Sequence, residues 1–527
     1  MNRSIVALLG LAAVLVGLAV VYRGAQPPAV TDYAYGCDPF GYSRQARLFR
    51  ENGYVDGLDT RMADPEARFL LDMAPTVGIG AERAAEMLAP HCHHYEPKTD
   101  AVILQYPPGT GFLLSLLPAD RQVDMLYVGS LALLVFCFGL FAVAALPSWG
   151  LAAGVVGSLA VASAAIANSA LMVSYSAPAT LGLTAFAAVL VLGGLPPGRR
   201  PRWWAGALLG LLSALLVSVR IPNVFLLAGL AAFIVLETEP WKRVRLAGAL
   251  LYTASGMVTF AVGLVPLLLA NRINAGGYLE TTYGTADSAG ARLDPFMIAR
   301  NLYYYFVETP AWPVTAAAVA ALAMAVVKAR MGRGTEAGRR LRAIVVGGGL
   351  PFLFSVGFFA THEVRASYYL VPSAFFCLAL CLFGVVELYG GRAFSRVGVA
   401  SVSAVVLLLA GIQIAHLPQR PYSFNAPPEI LERNAIVWAD RSGSTLYHYL
   451  GKYSGKIPFG WDCEQNAIVN GVSEAGRTQY FIVDSEAMNR LTTRLQHEDL
   501  LDWAGIFVTL EPYAVYRMEP GGRLDAC

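Results

Sequence analysis

The chain has 527 residues, of which 56% are hydrophobic and only 14% charged, with a mean hydropathy of +0.51. Soluble domains carry about 25% charged residues, so this composition excludes a soluble enzyme and a disordered scaffold and places the chain in a bilayer. The formal net charge of +2, with basic residues confined to short loops, argues against a nucleic-acid partner.

A helix needs about 20 mainly apolar residues to cross the hydrocarbon core. Eleven such stretches are expected, at 5–22, 125–146, 149–166, 177–195, 203–219, 221–236, 246–270, 312–327, 343–360, 368–388 and 397–414. The sixth is the weakest. The run 203–236 is too long for one crossing and is expected to break at Arg220-Ile221-Pro222-Asn223, where proline removes a backbone donor. The first stretch lacks an A-x-A cleavage site and reads as a permanent anchor.

Lys and Arg are retained on the cytoplasmic side of short loops. With Arg3 inside, the clusters around Arg199–Arg202, Lys242–Arg245, Lys328–Arg342 and Arg392–Arg396 all fall inside. The chain is therefore expected in the cytoplasmic (inner) membrane with its N-terminus cytoplasmic. Residues 23–124, 271–311 and 417–527 are expected outside. Cys37, Cys92, Cys463 and Cys527 lie in those outer segments, where an oxidising compartment permits disulfides. Sequence proximity favours Cys37 with Cys92 and Cys463 with Cys527.

The first outer segment reads as helical. Asp38-Pro39 and Asp64-Pro65-Glu66 each look like a helix cap followed by proline, and apolar residues recur at helical spacing through 67–74 and 80–88. These helices are expected to lie along the membrane surface. The tract His91-Cys92-His93-His94 carries zinc-ligand residue types, but adjacent residues cannot easily converge on one tetrahedral centre. It reads as surface histidines beside a structural cysteine, and no metal or other cofactor is assigned. Tyr303-Tyr304-Tyr305-Phe306 and Trp203-Trp204 read as interfacial aromatic belts.

From 417 onward, short apolar runs at 436–439 and 480–483 alternate with helical patterns, and Glu511-Pro512 splits a final hairpin. The fold class expected is thus an all-α polytopic membrane protein, residues 1–416, with a small extracytoplasmic α/β domain at 417–527. That domain has no glycine-rich phosphate loop.

Two charged residues on the outer side carry a chemical suggestion. Asp38 can take a proton from an attacking hydroxyl, and Arg365 can stabilise charge on a departing phosphate. They stand within a set of loose motifs: Asp38-Pro39-Phe40-Gly41-Tyr42, Tyr106-Pro107-Pro108-Gly109, Tyr175-Ser176-Ala177-Pro178, Arg220-Ile221-Pro222, and Arg365-Ala366-Ser367-Tyr368-Tyr369-Leu370-Val371-Pro372. In order and placement these resemble the GT-C class of membrane glycosyltransferases, which includes protein O-mannosyltransferases and the lipid A aminoarabinose transferase. The resemblance covers residues 1 to about 415.

What the resemblance implies is transfer of a hexosyl or pentosyl group, with inversion, from a polyprenyl-phosphate donor to a hydroxyl of a glycan, lipid or protein acceptor. Asp38 would be the base. Arg365, with Arg220 and Arg300, would meet the donor phosphate. Tyr42, Tyr106, His362 and Tyr368 would line the donor and acceptor pocket. Two departures stand out: Pro39 replaces a second acidic residue of many relatives, and Gln105-Tyr106 replaces a lysine that some relatives place before the proline pair. The rival readings are a flippase or transporter of lipid-linked saccharides, or a polysaccharide polymerase or ligase. The first rival is disfavoured by spans almost free of charge and by the absence of an internal repeat.

Overall fold

A computed structural model of the chain describes residues 37–62, 65–89, 93–119, 122–145, 174–194, 201–238, 243–283, 294–309, 311–362, 365–381, 435–439, 454–456, 463–484, 505–510 and 513–524. Within them the chain is mostly helical. Three helices are long and apolar enough to cross a membrane, Ala247–Ala275, Trp312–Met331 and Gly338–Ala360. Shorter apolar helices occupy Met125–Leu134, Ser176–Val191, Trp203–Val219, Ile221–Leu236 and Val371–Cys381. Eight of the eleven expected stretches thus meet apolar helices; those at 5–22, 149–166 and 397–414 lie outside the described residues.

The chain divides into two compact units. One comprises Met1–Pro27, Arg121–Leu267 and Ala289–Gln419; the other comprises Pro28–Asp120, Leu268–Ser288 and Arg420–Cys527.

The first unit is held by apolar helices packed through small residues. Its core includes Leu134, Leu181, Leu216, Leu230, Phe352, Phe375 and the buried thiols Cys137, Cys377 and Cys381. Lipid offers no hydrophobic gain for helix pairing, so close backbone approach and interhelical hydrogen bonds must supply it. Gly206 and Gly210, one turn apart on Trp203–Val219, face the helix Arg243–Ala275, where Ser255 and Thr259 donate across to the carbonyls of Trp203 (2.8 Å) and Ala207 (2.7 Å). The break expected at 220–223 is present: Trp203–Val219 ends, Ile221–Asn223 forms a short 3-10 turn, and Val224–Thr238 continues. Asn223 Nδ2 closes it by donating to the Leu216 carbonyl (2.8 Å) and to Thr180 Oγ1 on a neighbouring helix (3.0 Å).

The second unit contains two sheets. Strands β1 (His93–Glu96) and β2 (Ala101–Leu104) form an antiparallel hairpin. Strands β3 (Ile436–Ala439), β4 (Ser454–Lys456), β5 (Gln479–Asp484), β6 (Gly505–Leu510) and β7 (Tyr513–Met518) form a five-stranded sheet in the order β4-β3-β5-β7-β6. β3 is parallel to β4 and β5, while β7 is antiparallel to β5 and β6. The β6/β7 pair is the hairpin expected around Glu511-Pro512.

The helix Pro65–Met73 starts at the proline of the expected Asp64-Pro65 signal, and Ala81–Leu88 covers the helical pattern expected at 80–88. Their apolar face is not laid on a membrane surface. Ala67, Leu70, Met73, Ala84, Met87 and Leu88 are buried in one cluster with Ile436, Trp438, Phe481 and Met518 of the sheet and with Ile468, Val469 and Val472 of the helix Cys463–Glu474. The helices Pro65–Met73 and Ala81–Leu88 therefore share one core with the five-stranded sheet and the helix Cys463–Glu474. Arg83 pairs with Glu464 at 2.9 Å and Arg477 lies 3.8 Å over the Phe69 ring at its edge. The histidines likewise differ from expectation: His93 and His94 are buried in β1 rather than on the surface. Of the residues expected in an interfacial belt, Trp203, Trp204 and Tyr303 are exposed, whereas Tyr305 is buried in a π-helical turn, Tyr304–Glu308.

One buried side chain ties several segments of this unit. Asn274 accepts through Oδ1 from the Thr60 amide (2.8 Å) and hydroxyl (3.0 Å), and its Nδ2 donates to the carbonyls of Leu58 and Ala270 (2.8 Å each). Leaving such groups buried without partners costs about 1–3 kcal/mol each. Asn274→Leu is accordingly expected to destabilise the protein by about 3 kcal/mol, read as a fall in its thermal midpoint; an unchanged midpoint would show that water replaces the amide at no cost. Beside it, burial opposes the Asp59 charge. Hydrogen bonds from the side chain and backbone of Arg61, with the charges of Arg61 and Arg44, outweigh that penalty and hold the carboxyl below its ordinary value.

Candidate functional site

Two constellations contain the residues singled out in the sequence, one in each unit.

In the second unit, Asp38 lies half-buried in the first turn of the helix Cys37–Asp56. Tyr106 follows β2, just before Pro107 and Pro108 open the helix Pro108–Ser115. The Tyr106 hydroxyl donates to Asp38 Oδ1. Its ring is 4% exposed and packs at 4.6 Å on the ring of Tyr42, itself 1% exposed, with Tyr283 edge-on at 6.3 Å. Gly41 makes this approach possible: a Cβ there would lie 2.5 Å from the Tyr106 ring. Gln105 Nε2 donates to the Tyr106 hydroxyl at 3.1 Å, and the Gln105 carbonyl accepts from Thr282 Oγ1 at 2.9 Å. The result is a carboxylate beside a layer of tyrosines, suited to accept a proton next to a sugar-sized ring.

Helix capping is the plain alternative for an Asp-Pro pair, and Asp294 behaves that way: its carboxylate accepts from the Phe296 amide at 2.9 Å ahead of the helix Pro295–Tyr303. Asp38 instead lies inside its helix and accepts from a phenol 68 residues away.

In the first unit, Arg220 follows the end of Trp203–Val219 and is only 5% exposed. Its guanidinium lies over three rings, Tyr369 at 4.6 Å, Tyr368 at 4.9 Å and Phe359 at 5.7 Å. A cation over π faces is held electrostatically and still directs its donors outward from the rings. Phe359 stacks on Tyr369 at 4.6 Å and lies 6.4 Å from Tyr305, which contacts Tyr304 at 5.2 Å. Tyr304 in turn carries the guanidinium of Arg365 at 5.1 Å. A continuous row of rings thus joins a buried arginine to an exposed one.

Asn301 braces this row by donating from Nδ2 to the carbonyls of Ala360 (3.0 Å) and His362 (2.7 Å), at the end of Glu336–Ala360. His362 stacks on Phe358 at 5.4 Å. Arg300 is exposed on the helix Pro295–Tyr303. The candidates therefore fall into distinct settings: Asp38, Tyr42 and Tyr106 together in one unit, Arg220, Tyr368 and Arg365 along one row in the other, His362 beside that row, and Arg300 on an exposed helical surface.

Sequence reasoning did not single out Tyr283, Gln105 as a donor, Tyr369, Phe359 or Asn301. Tyr369 lay inside a quoted motif and Gln105 stood out only as the replacement of a lysine; the others carried no local signal. Among the described residues no group of three or more His, Cys, Asp and Glu side chains could hold a metal ion. Cys463 is disulfide-bonded; Cys92 and Cys527 lie outside the described residues, as does Asp64.

The chain is similar to ArnT. Two crystal structures of ArnT from Cupriavidus metallidurans match it, each at 13% identity and a TM-score of 0.45. One, bound to undecaprenyl phosphate, covers 88% of this chain and 95% of its own; the other, in the apo state, covers 90% and 97%. ArnT is a lipid A aminoarabinose transferase of the GT-C class, the class that the sequence motifs resemble. No protein-family model matches the chain, and no curated protein does.

Proposed function

We propose that this chain is an integral-membrane glycosyltransferase that moves a sugar, with inversion, from a polyprenyl-phosphate donor to an acceptor hydroxyl on the extracytoplasmic face. The observation that carries this reading is the half-buried Asp38 carboxylate fixed beside Tyr42 and Tyr106. In the step proposed, the acceptor O–H proton passes to Asp38 and the acceptor oxygen forms a bond to the anomeric carbon. The bond from that carbon to the phosphate oxygen breaks, and its electron pair leaves on the polyprenyl phosphate. The phosphate charge is assigned to Arg220. A guanidinium matches phosphate oxygens in a bidentate fork, and its ring-lined burial strengthens its interaction with a charge placed beside it. Arg365 is assigned a lesser part because it is exposed, where solvent screens its charge.

The apolar helices supply the lipid-embedded setting that such a donor needs. The disulfide-bonded Cys463 supports an oxidising location for the tail.

The test is release of labelled polyprenyl phosphate from a polyprenyl-phosphate-linked hexose or pentose by the purified protein, with membrane extract as the acceptor source. Arg220→Gln is expected to raise the donor KM by about 10- to 100-fold, because a hydrogen bond to a charged group contributes about 1.5–3 kcal/mol. Arg365→Ala should raise it less. No release from any such donor, or an unchanged KM in Arg220→Gln, would remove the donor assignment.

A further inference from the structure

The hydrogen-bond directions around Asp38 carry information beyond the assignment of a base. A phenol has one proton to donate and lone pairs with which to accept. The Gln105 side-chain amide, at 3.1 Å, can only donate through Nε2, so the Tyr106 oxygen is the acceptor of that bond. The Tyr106 proton is then directed to Asp38 Oδ1, which accepts it. The order Gln105 to Tyr106 to Asp38 is therefore fixed by chemistry at both ends.

The phenol itself has little freedom. Tyr42 covers one side of its ring at 4.6 Å, Tyr283 meets it edge-on, and Gly41 lies so close that a Cβ would overlap it. Gln45 Nε2 reaches the Tyr106 carbonyl at 3.5 Å. Gln105 is anchored in turn through its carbonyl, which accepts from Thr282. An aspartate side chain alone rotates about two torsions. One strong donor held rigidly in place removes most of that freedom and presents the carboxylate at a set angle.

We propose that Tyr106 is the positioning residue of the Asp38 base, and that Gln105 sets the direction of the Tyr106 proton. The inference rests on Asp38 acting as the base in the transfer proposed above. Tyr106 need not touch the donor. Its contribution is to kcat, through the orientation of the carboxylate when the acceptor proton moves, and not to donor affinity.

The test uses the full-length protein and the polyprenyl-phosphate-linked hexose or pentose that the wild type consumes. Tyr106→Phe keeps the ring that packs on Tyr42 and Tyr283 and removes only the donor, so the thermal midpoint should change little. It is expected to lower kcat by about 10- to 100-fold with donor KM within twofold, as misplacement of a reacting group does. In an Asp38→Asn background the same substitution should cost less than twofold, because its effect passes through the carboxylate. Gln105→Met, which leaves the backbone bond to Thr282 intact, is expected to lower kcat by a smaller factor, about 3- to 10-fold.

Wild-type kcat in Tyr106→Phe while Asp38→Asn is inactive would overturn the positioning role and leave the base assignment standing. An equal loss in both backgrounds would overturn it too, since Tyr106 would then act independently of Asp38. A fully active Asp38→Asn would sink the base assignment and this inference together. Should Tyr106→Phe not fold, wild-type kcat in Gln105→Met would be the result that counts against the relay.

Discussion

Asp38→Asn is expected to lower turnover of the lipid-linked donor by about 100- to 10,000-fold, the range over which a positioned general base contributes. The substitution is chosen for what it leaves in place. Asparagine has the shape of aspartate, and its side-chain oxygen can still accept from the Tyr106 hydroxyl, so the packing of Tyr106 on Tyr42 is retained. What it loses is the capacity to take the acceptor proton. The donor KM should therefore stay near the wild-type value while kcat falls, the pattern of an interaction made in the transition state and not in the ground state. Single-turnover measurement with saturating donor separates this from slow product release. Turnover within threefold of wild type would mean that the carboxylate is a structural partner of Tyr106 and that another group receives the proton.

The parts legible in the sequence were those that a one-dimensional pattern controls. Apolar runs of span length mark helices such as Trp203–Val219 and Trp312–Met331 because their burial in lipid or protein depends on composition alone. Pro222 marks the break after Arg220, since proline cannot supply the amide a continuing helix needs. The β6/β7 hairpin was legible from its alternating residues and the turn between them.

Partnership between distant segments was not legible. The helices Pro65–Met73 and Ala81–Leu88 have an apolar face that fits a membrane surface or a protein core equally well, and only the fold shows that the β-sheet of the tail covers it. His93 and His94 look like surface residues in a polar tract, yet pairing of β1 with β2 carries them inward. At the candidate site, Asp38, Tyr42 and Tyr106 were visible as motif members, but the phenol-to-carboxylate bond spans 68 residues. The two arginines show the same limit. A linear reading puts Arg365 ahead of Arg220 as the phosphate partner, whereas Arg220 is buried over three rings and Arg365 is exposed.

Gly210→Val is expected to have the largest effect on folding, a destabilisation of about 3 kcal/mol or more, where overpacking of a close contact commonly costs about 1–3 kcal/mol. The reason is the nature of the neighbouring atom. A Cβ at Gly210 would lie 2.1 Å from the Gly256 carbonyl oxygen, and one at Gly206 would lie 2.2 Å from that of Tyr252. These are backbone atoms within a helix, so no side-chain rotation can relieve the overlap and the helices must move apart. Separation would then stretch the bonds from Ser255 to Trp203 and from Thr259 to Ala207, which hold the pair where lipid provides no hydrophobic drive for association. Gly357 supplies the control. It lies in the helix Glu336–Ala360 with no atom within 4 Å of its Cβ position, and Gly357→Ala should be neutral or stabilising by about 0.5–1 kcal/mol through helix propensity. Thermal unfolding in one detergent, with size-exclusion profiles, compares the three proteins directly. A midpoint for Gly210→Val equal to that of Gly357→Ala would show that the two helices do not meet through these glycines.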